Sequence, residues 1–462
     1  MNMEYAVRGP LYHKATKLKK QGKTIIPCNI GNPQALGQKP ITFYRQVLSL
    51  LEYPQHINRE RILKKKLSNA NDEFCISDYV LDFCDYFLVK METGMGAYTD
   101  SKGPPFIRES ISRYIDKRDR VTLDTGISSN PDNIFITDGA SEGVKNILEL
   151  LICNENDGIM IPIPTYPLYT ATINRMGGAQ VHYYPDEESG WKLNKDILNK
   201  SLHTAKQKNI NVKAIVVINP ANPTGAILGR NSILEIVEFA EENNLVILAD
   251  EVYQDNLYGS EFFSFAKAIW DHSNISLFSF HSTSKGFYGE CGHRGGYFEV
   301  RNPFNLGNTN RNLIDILFKQ VSVNLCSNTT GQALIYLLSS QPEEGSDPYN
   351  QFMNEKKAVL EDLFSKASII KNAFQEMEGM ECYGEIGAMY LFPQMKILPS
   401  GKTDFDYCMA LMEETGLATV NGTGFGQKEG TSHLRIAFLP PKDILEKVLP
   451  EWIDFHNRYI RM

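Results

Sequence analysis

Between residues 133 and 280, short apolar runs alternate with longer stretches whose apolar positions recur at helical spacing. The runs are NIFIT (133–137), GIMIPI (158–163), AIVVI (214–218), LVILAD (245–250) and ISLFSF (275–280). Near-continuous runs of this length suit strands buried on both faces of a parallel sheet. Between two of them, NSILEIVEFAEENN (231–244) places Ile233, Leu234, Ile236, Val237 and Ala240 along one helical stripe. Strands alternating with helices predict an α/β fold built on a mostly parallel, helix-covered sheet.

The rhythm differs at both ends. A first helix is expected over Leu11–Lys20, followed by an irregular Gly/Pro stretch from Pro27 to Pro40. After about residue 340 the segment QPEEGSDP (341–348) leads into a long charged helix and a smaller α+β portion. The expected division is a large domain over 75–340, with 1–74 and 341–462 forming a small domain and an N-terminal arm.

Composition narrows the function. The chain has 462 residues, enough to bury a core without disulfide or metal staples. Its net charge of −8 argues against nucleic acid or an anionic membrane as the main partner. No apolar run approaches the ~18 residues of a membrane span. The eight cysteines are scattered with no CxxC pair, so neither a disulfide framework nor a metal site is expected. The basic start MNMEYAVRGPLYHKATKLKKQGK has no apolar core of a secretory signal and too little Arg and Ser for a transit peptide. A cytoplasmic location is the expectation.

Ligands of open parallel sheets bind beyond the carboxyl ends of the strands, so the residues after each run matter most. NIFIT is followed by DGASEG (138–143), AIVVI by NPANPTG (219–225), and LVILA by Asp250 and then Tyr253. ISLFSF is followed by HSTSKGFYGECGHRGG (281–296), with Lys285 and Arg294. Small residues opening a helix at DGASEG would let backbone N–H groups approach a phosphate. The same residues match G-x-S-x-G, the nucleophile elbow of serine hydrolases, with Ser141 as nucleophile and His433 as a possible base. No oxyanion loop of the HGGG type accompanies it, and a plain tight turn is a third reading. Taken singly, NPTG is a loop, Asp250 a helix cap, and Lys285 a solvated lysine.

Taken together, Asn222, Asp250, Tyr253, Lys285 and Arg294, in this order and spacing, resemble the fold-type I pyridoxal-phosphate aminotransferases. The resemblance runs over nearly the whole chain and is strongest to the alanine aminotransferase branch. It is carried by IGNPQALGQKPITFYRQVLSL (30–50), MGAYTDSKG (95–103), IPTYPLY (163–169), SKGFYGECGHRGGY (284–297) and GTGFGQKEGTSHLR (422–435). GPPFIR (103–108) and Asn421 depart from the family pattern without removing a chemical group.

The resemblance implies transfer of the amino group of L-alanine to 2-oxoglutarate, giving pyruvate and L-glutamate by ping-pong chemistry on pyridoxal 5'-phosphate. Lys285 would hold the cofactor covalently and shuttle the proton; Asp250 would keep the pyridine nitrogen protonated. Tyr253 and Asn222 would bond the ring hydroxyl, and Tyr166 would stack on the ring. Ala140 and Ser141, with Ser282, Ser284 and Arg294, would bind the phosphate. Tyr98 would reach the phosphate of a second copy, which implies a homodimer with shared active sites. Arg435 would clamp the substrate α-carboxylate, with a backbone contact from Gly31 and a contribution from Asn222. An aspartate- or glutamine-type class I aminotransferase is the nearest alternative, and the serine hydrolase the alternative of a different class.

Overall fold

Seven strands carry the architecture: β1 (Ile134–Asp138), β2 (Asp157–Pro162), β3 (Ala179–Tyr183), β4 (Asn211–Ile218), β5 (Val246–Asp250), β6 (Leu277–Ser282) and β7 (Gly295–Arg301). The protein is seen in a computed structural model that describes residues 9–67, 75–122, 126–272, 274–304, 307 and 312–462. Each of the five apolar runs lies on a strand, with ends shifted by no more than three residues. The expected first helix is there as Pro10–Lys20, and the amphipathic stretch forms helix Arg230–Glu242. The first eight residues of the basic start, and the boundary expected at 74, lie outside the described residues.

The chain divides into two compact units. One comprises 1–38, 147–279 and 360–462; the other comprises 39–146 and 280–359. These limits follow internal packing and are not the division at about 74 and 340 expected above. β6 begins in the first unit and ends in the second.

In the first unit, β4 pairs in parallel with both β5 and β2, and β2 pairs in parallel with β3. Helices Lys195–Gln207 and Arg230–Glu242 cover this parallel core with Leu198, Leu202, Ile233, Ile236, Val237 and Ala240. They pack against Ile215 and Val217 of β4 and Ile247 and Ala249 of β5, all nearly inaccessible to solvent. Each aliphatic side chain so buried stabilises the fold by about 1.5–3 kcal/mol before entropy is charged against it. Asn194 starts the first of these helices, its side-chain oxygen accepting from Ile197 N at 3.0 Å. The register pairs Ile218 with Asp250, so the loop after β4 and the acid ending β5 leave the sheet side by side. Elsewhere in this unit, strand Leu434–Ala437 runs antiparallel between Tyr390–Leu391 and Val420–Asn421.

In the second unit, β1 pairs antiparallel with β7, Asp138 opposite Gly295. The expectation of parallel strands misses this pair, and β7 itself was not anticipated: GGYFEVR opens on two glycines and mixes charged with apolar residues. The pairing has a consequence for chemistry. It sets Arg294, the residue before β7, next to the turn that leads from β1 into helix Ala140–Leu151.

No described helix is long and apolar enough to cross a membrane, and the eight cysteines are free thiols.

Candidate active site

The sequence-predicted residues fall into two clusters, one in each unit. In the first unit, Asp250 is 5% exposed and its Oδ2 accepts a hydrogen bond from the Tyr169 hydroxyl at 2.8 Å. A carboxylate so buried needs strong donors, and Tyr169 is one of them. Burial, and then Asp250 itself, push the Tyr169 phenol well above its usual range, so it remains a donor. Tyr253, three residues along, donates to the Tyr390 hydroxyl at 3.3 Å. Burial and then Tyr390 hold its phenol protonated as well, with Arg435 pulling the other way. Tyr166 caps helix Pro167–Met176 and its phenol adds to the upward shift of both Tyr169 and Tyr253.

Arg435 is 2% exposed. Its guanidinium lies 4.2 Å from the ring centre of Tyr390 and 4.6 Å from that of Phe425. Nη1 donates to Asn222 Oδ1 at 3.1 Å and Nη2 to the Asn29 carbonyl at 2.8 Å, while Nε is buried without a hydrogen bond. Gly31 lies two residues beyond Asn29. Among the described residues no carboxylate pairs with this arginine, so its charge rests on aromatic faces and neutral oxygens alone. A buried cation of this kind is a ready receptor for a carboxylate, which a guanidinium meets with two parallel bonds.

In the second unit, helix Ala140–Leu151 begins directly after Gly139, whose φ of +81° lies in the left-handed region. Arg294 also adopts a positive φ, 56°. Its Nη2 donates to Asp138 O at 3.1 Å and to Ser141 Oγ at 3.2 Å, and its Nη1 to Cys291 O at 3.0 Å. A Cβ on Gly139 would stand 2.3 Å from that Nη2, and one on Gly296 would stand 2.5 Å from Ala140 N. Only glycine allows this approach of guanidinium and strand to the helix N-terminus. Asn328 ties the turn down, donating to Asp138 Oδ1 from its backbone at 2.9 Å and its side chain at 2.7 Å. The result is a helix N-terminus of twelve residues' dipole with an arginine and a serine at its mouth, which suits a phosphate dianion.

Ser282 ends β6, and its Oγ accepts from Ser284 N at 3.3 Å; both serines are buried. Lys285 follows, half-buried. Tyr98 is 75% exposed in the loop that holds MGAYTDSKG. The hydrolase elbow loses its chemistry here. Ser141 accepts from Arg294 instead of giving a proton to a base, and both ring nitrogens of His433 stand against Gln427 and Glu187.

Comparison with known proteins gives the family. The profile of the family described as "Aminotransferase class I and II" matches residues 68–449. Glutamate–glyoxylate aminotransferase 2 of Arabidopsis thaliana is 40% identical, covering 99% of this chain and 94% of its own. A probable alanine aminotransferase, mitochondrial, of Dictyostelium discoideum is also 40% identical, covering 99% and 87%. The chain belongs to the class I and II aminotransferases.

The fold agrees too. The solved structure of an alanine aminotransferase from Pyrococcus furiosus matches 99% of this chain and 98% of its own, with a TM-score of 0.75 and 25% identity. The expected fold-type I α/β class is therefore correct. Within this aminotransferase, sequence reasoning missed Tyr169, Tyr390, Phe425 and Asn328. Tyr169 was within sight as the last residue of IPTYPLY, three positions from Tyr166 on the same helical turn. Phe425 lies in the same GTGFGQKEGTSHLR stretch as Arg435, with nothing local to mark it as a partner, whereas Tyr390 and Asn328 reach theirs across long stretches of chain.

Proposed function

We propose that this aminotransferase moves the amino group of L-alanine to 2-oxoglutarate, releasing pyruvate and forming L-glutamate, with pyridoxal 5'-phosphate as cofactor. The observation that carries the reading is Arg435: a buried guanidinium that pairs with no carboxylate among the described residues, flanked by rings, in a chain of this family. The donors of each unit fit a part of the cofactor: in the first, an acid for a ring nitrogen with phenol and amide for a ring hydroxyl; in the second, a helix N-terminus with arginine and serine for a phosphate. When bound, the cofactor supplies the electron sink that stabilises negative charge at the substrate α-carbon.

The chain's residues do the rest. Asp250 holds a proton on the ring nitrogen, and Tyr169 keeps that carboxylate oriented. Asn222 spends its oxygen on Arg435, which leaves its NH2 to donate to the ring hydroxyl, while Tyr253, whose proton goes to Tyr390, would meet that group through its oxygen. Tyr166 covers the ring. Ala140, Ser141, Ser282, Ser284 and Arg294 bind the phosphate. Lys285 carries the proton to and from the substrate α-carbon. Arg435, with Gly31, would orient the substrate carboxylate.

The same reading makes the enzyme a cytosolic homodimer in which Tyr98 serves the phosphate of the second copy. It also divides the chain into a cofactor domain over 75–340 and a small domain from both ends. A second specificity has a relative of its own behind it: the glutamate–glyoxylate enzyme is as similar as the alanine enzyme. One spectrum separates them. Alanine should bleach the visible band of the bound cofactor and 2-oxoglutarate should restore it; a band that glutamate bleaches, glyoxylate restores and alanine leaves unchanged would give the role to the second specificity.

A further inference from the structure

His433 lies two residues before Arg435 and is 2% exposed. Its Nδ1 stands 2.9 Å from Gln427 Oε1, and its Nε2 stands 2.9 and 3.1 Å from the two carboxylate oxygens of Glu187. The Gln427 amide nitrogen is already committed, donating to Asp404 Oδ2 at 3.2 Å and Thr423 Oγ1 at 3.3 Å. Its oxygen can therefore only accept, and so can an ionised carboxylate. Both ring nitrogens are asked to donate, and a histidine that donates twice is an imidazolium.

The cation is connected to the arginine by a stack. The His433 ring is nearly parallel to Phe392, 4.8 Å between centres and 9° between planes. Phe392 meets Phe425 edge-on at 6.1 Å, and Phe425 lies under the Arg435 guanidinium. The turn that brings Glu187 also brings Trp191 to 6.3 Å from the histidine ring, with Trp191 held at φ +68°. A bulky residue keeps that conformation only where its surroundings over-determine it. We propose that His433, held as an imidazolium between Glu187 and Gln427, is a positioning residue for the carboxylate clamp, acting on Arg435 through Phe392 and Phe425. The proposal rests on Arg435 being that clamp.

Other ionisable groups lie close to the ring. Asp404 reaches it through Gln427, and Lys396, just after the short strand Gln394–Met395, pairs with Glu188 and Glu381. Burial pushes the Cys382 thiol up to about 11, with Glu187 adding to the shift. Glu187→Gln keeps the shape and removes the charge that retains the proton. At low pH the amide oxygen still accepts from the imidazolium; as pH rises the ring gives up its proton, and its cationic contact with Phe392 goes with it.

The test is competitive inhibition of the holoenzyme by propionate, which is alanine without its amine, measured from about pH 6 to 8, on either side of the ordinary histidine pKa near 6.5. In Glu187→Gln the inhibition constant should match wild type at the acid end and rise about three- to tenfold above it at the alkaline end, with kcat kept within about twofold. His433→Gln should show a raised ratio that does not change with pH. Arg435→Lys separates the two ideas. If it leaves propionate binding unchanged, Arg435 is not the clamp. If it weakens binding while Glu187→Gln matches wild type throughout, or weakens it equally at every pH, the positioning role of the charged histidine is wrong.

Discussion

Arg435 and Arg294 are each proposed to meet an anion, yet their surroundings could hardly differ more. Arg435 is 2% exposed, wedged between Tyr390 and Phe425, and its hydrogen bonds go to the neutral oxygens of Asn222 and Asn29. Arg294 is exposed, and its guanidinium shares the mouth of a helix with Ser141 and the backbone of Asp138. The first site concentrates its positive charge in one buried group. The second spreads it over a guanidinium, a hydroxyl and the end of a helix dipole. A concentrated site should fail when one residue goes, whereas a distributed site should weaken by degrees.

The largest effect belongs to neither arginine and separates holding from chemistry. Lys285→Ala should lose at least about 10²–10⁴-fold in turnover, since on the proposed function it removes the group that moves the proton. The distributed phosphate site should still retain the cofactor, as dialysis followed by phosphate analysis will show. Near-native transamination would remove Lys285 from the mechanism.

Next comes the concentrated site. Truncating one partner of a buried charged pair costs roughly 2–5 kcal/mol. At about 1.4 kcal/mol per decade, Arg435→Ala should lose about one and a half to three and a half decades in kcat/KM. Stopped-flow measurement of both half-reactions should show the loss for alanine and 2-oxoglutarate alike. A loss confined to 2-oxoglutarate would assign Arg435 to the distal carboxylate.

How much of this was legible follows from the range of the interactions. The apolar runs announce β1, β2, β4, β5 and β6 because a strand buried on both faces must be apolar throughout. β3, with Gln180 and His182 among its five residues, has no such run and is silent in the sequence. β7 is silent for another reason: its two leading glycines are there for close passes, Gly295 against Gly331 and Gly296 against Ala140, not for strand propensity. Asp250 and Lys285 could be found by position after a strand. The rings around Arg435 could not, because nothing near residue 390 or 425 says that 435 will lie between them. His433 was legible only as a histidine, and its two acceptors decide against the base that the elbow would need.

A smaller effect probes the distributed site through its backbone. Gly139→Ala places a Cβ 2.3 Å from the present position of Arg294 Nη2, at a φ of +81°. The left-handed conformation alone costs about 1–2 kcal/mol for a residue with a side chain. Arg294 is exposed and flexible, so it can move aside, but in moving it leaves Ser141. Cofactor release, followed by equilibrium dialysis, should therefore tighten the comparison with a loss of affinity of about tenfold. An unchanged affinity would mean that Arg294 binds the phosphate equally well from another rotamer.

The smallest effect is the sharpest test of sharing. Ser141→Ala removes one hydroxyl, which accepts from Arg294 at 3.2 Å and lies in the first turn of helix Ala140–Leu151. A single hydrogen bond contributes about 0.5–1.5 kcal/mol net, and solvent at the exposed guanidinium keeps the value toward the lower end. The expected loss of cofactor affinity is about two- to tenfold, with kcat of the saturated enzyme nearly unchanged. The backbone amides and Arg294 remain after the change, and they carry most of the anion's charge. A loss as large as that of Arg435→Ala would mean that the site depends on Ser141 alone, and the contrast between concentrated and distributed charge would fall. The same variant also judges the elbow. A nucleophile has no substitute, so esterase activity in the cofactor-free protein that Ser141→Ala abolishes would make this serine catalytic; a phosphate ligand predicts no esterase activity in either protein.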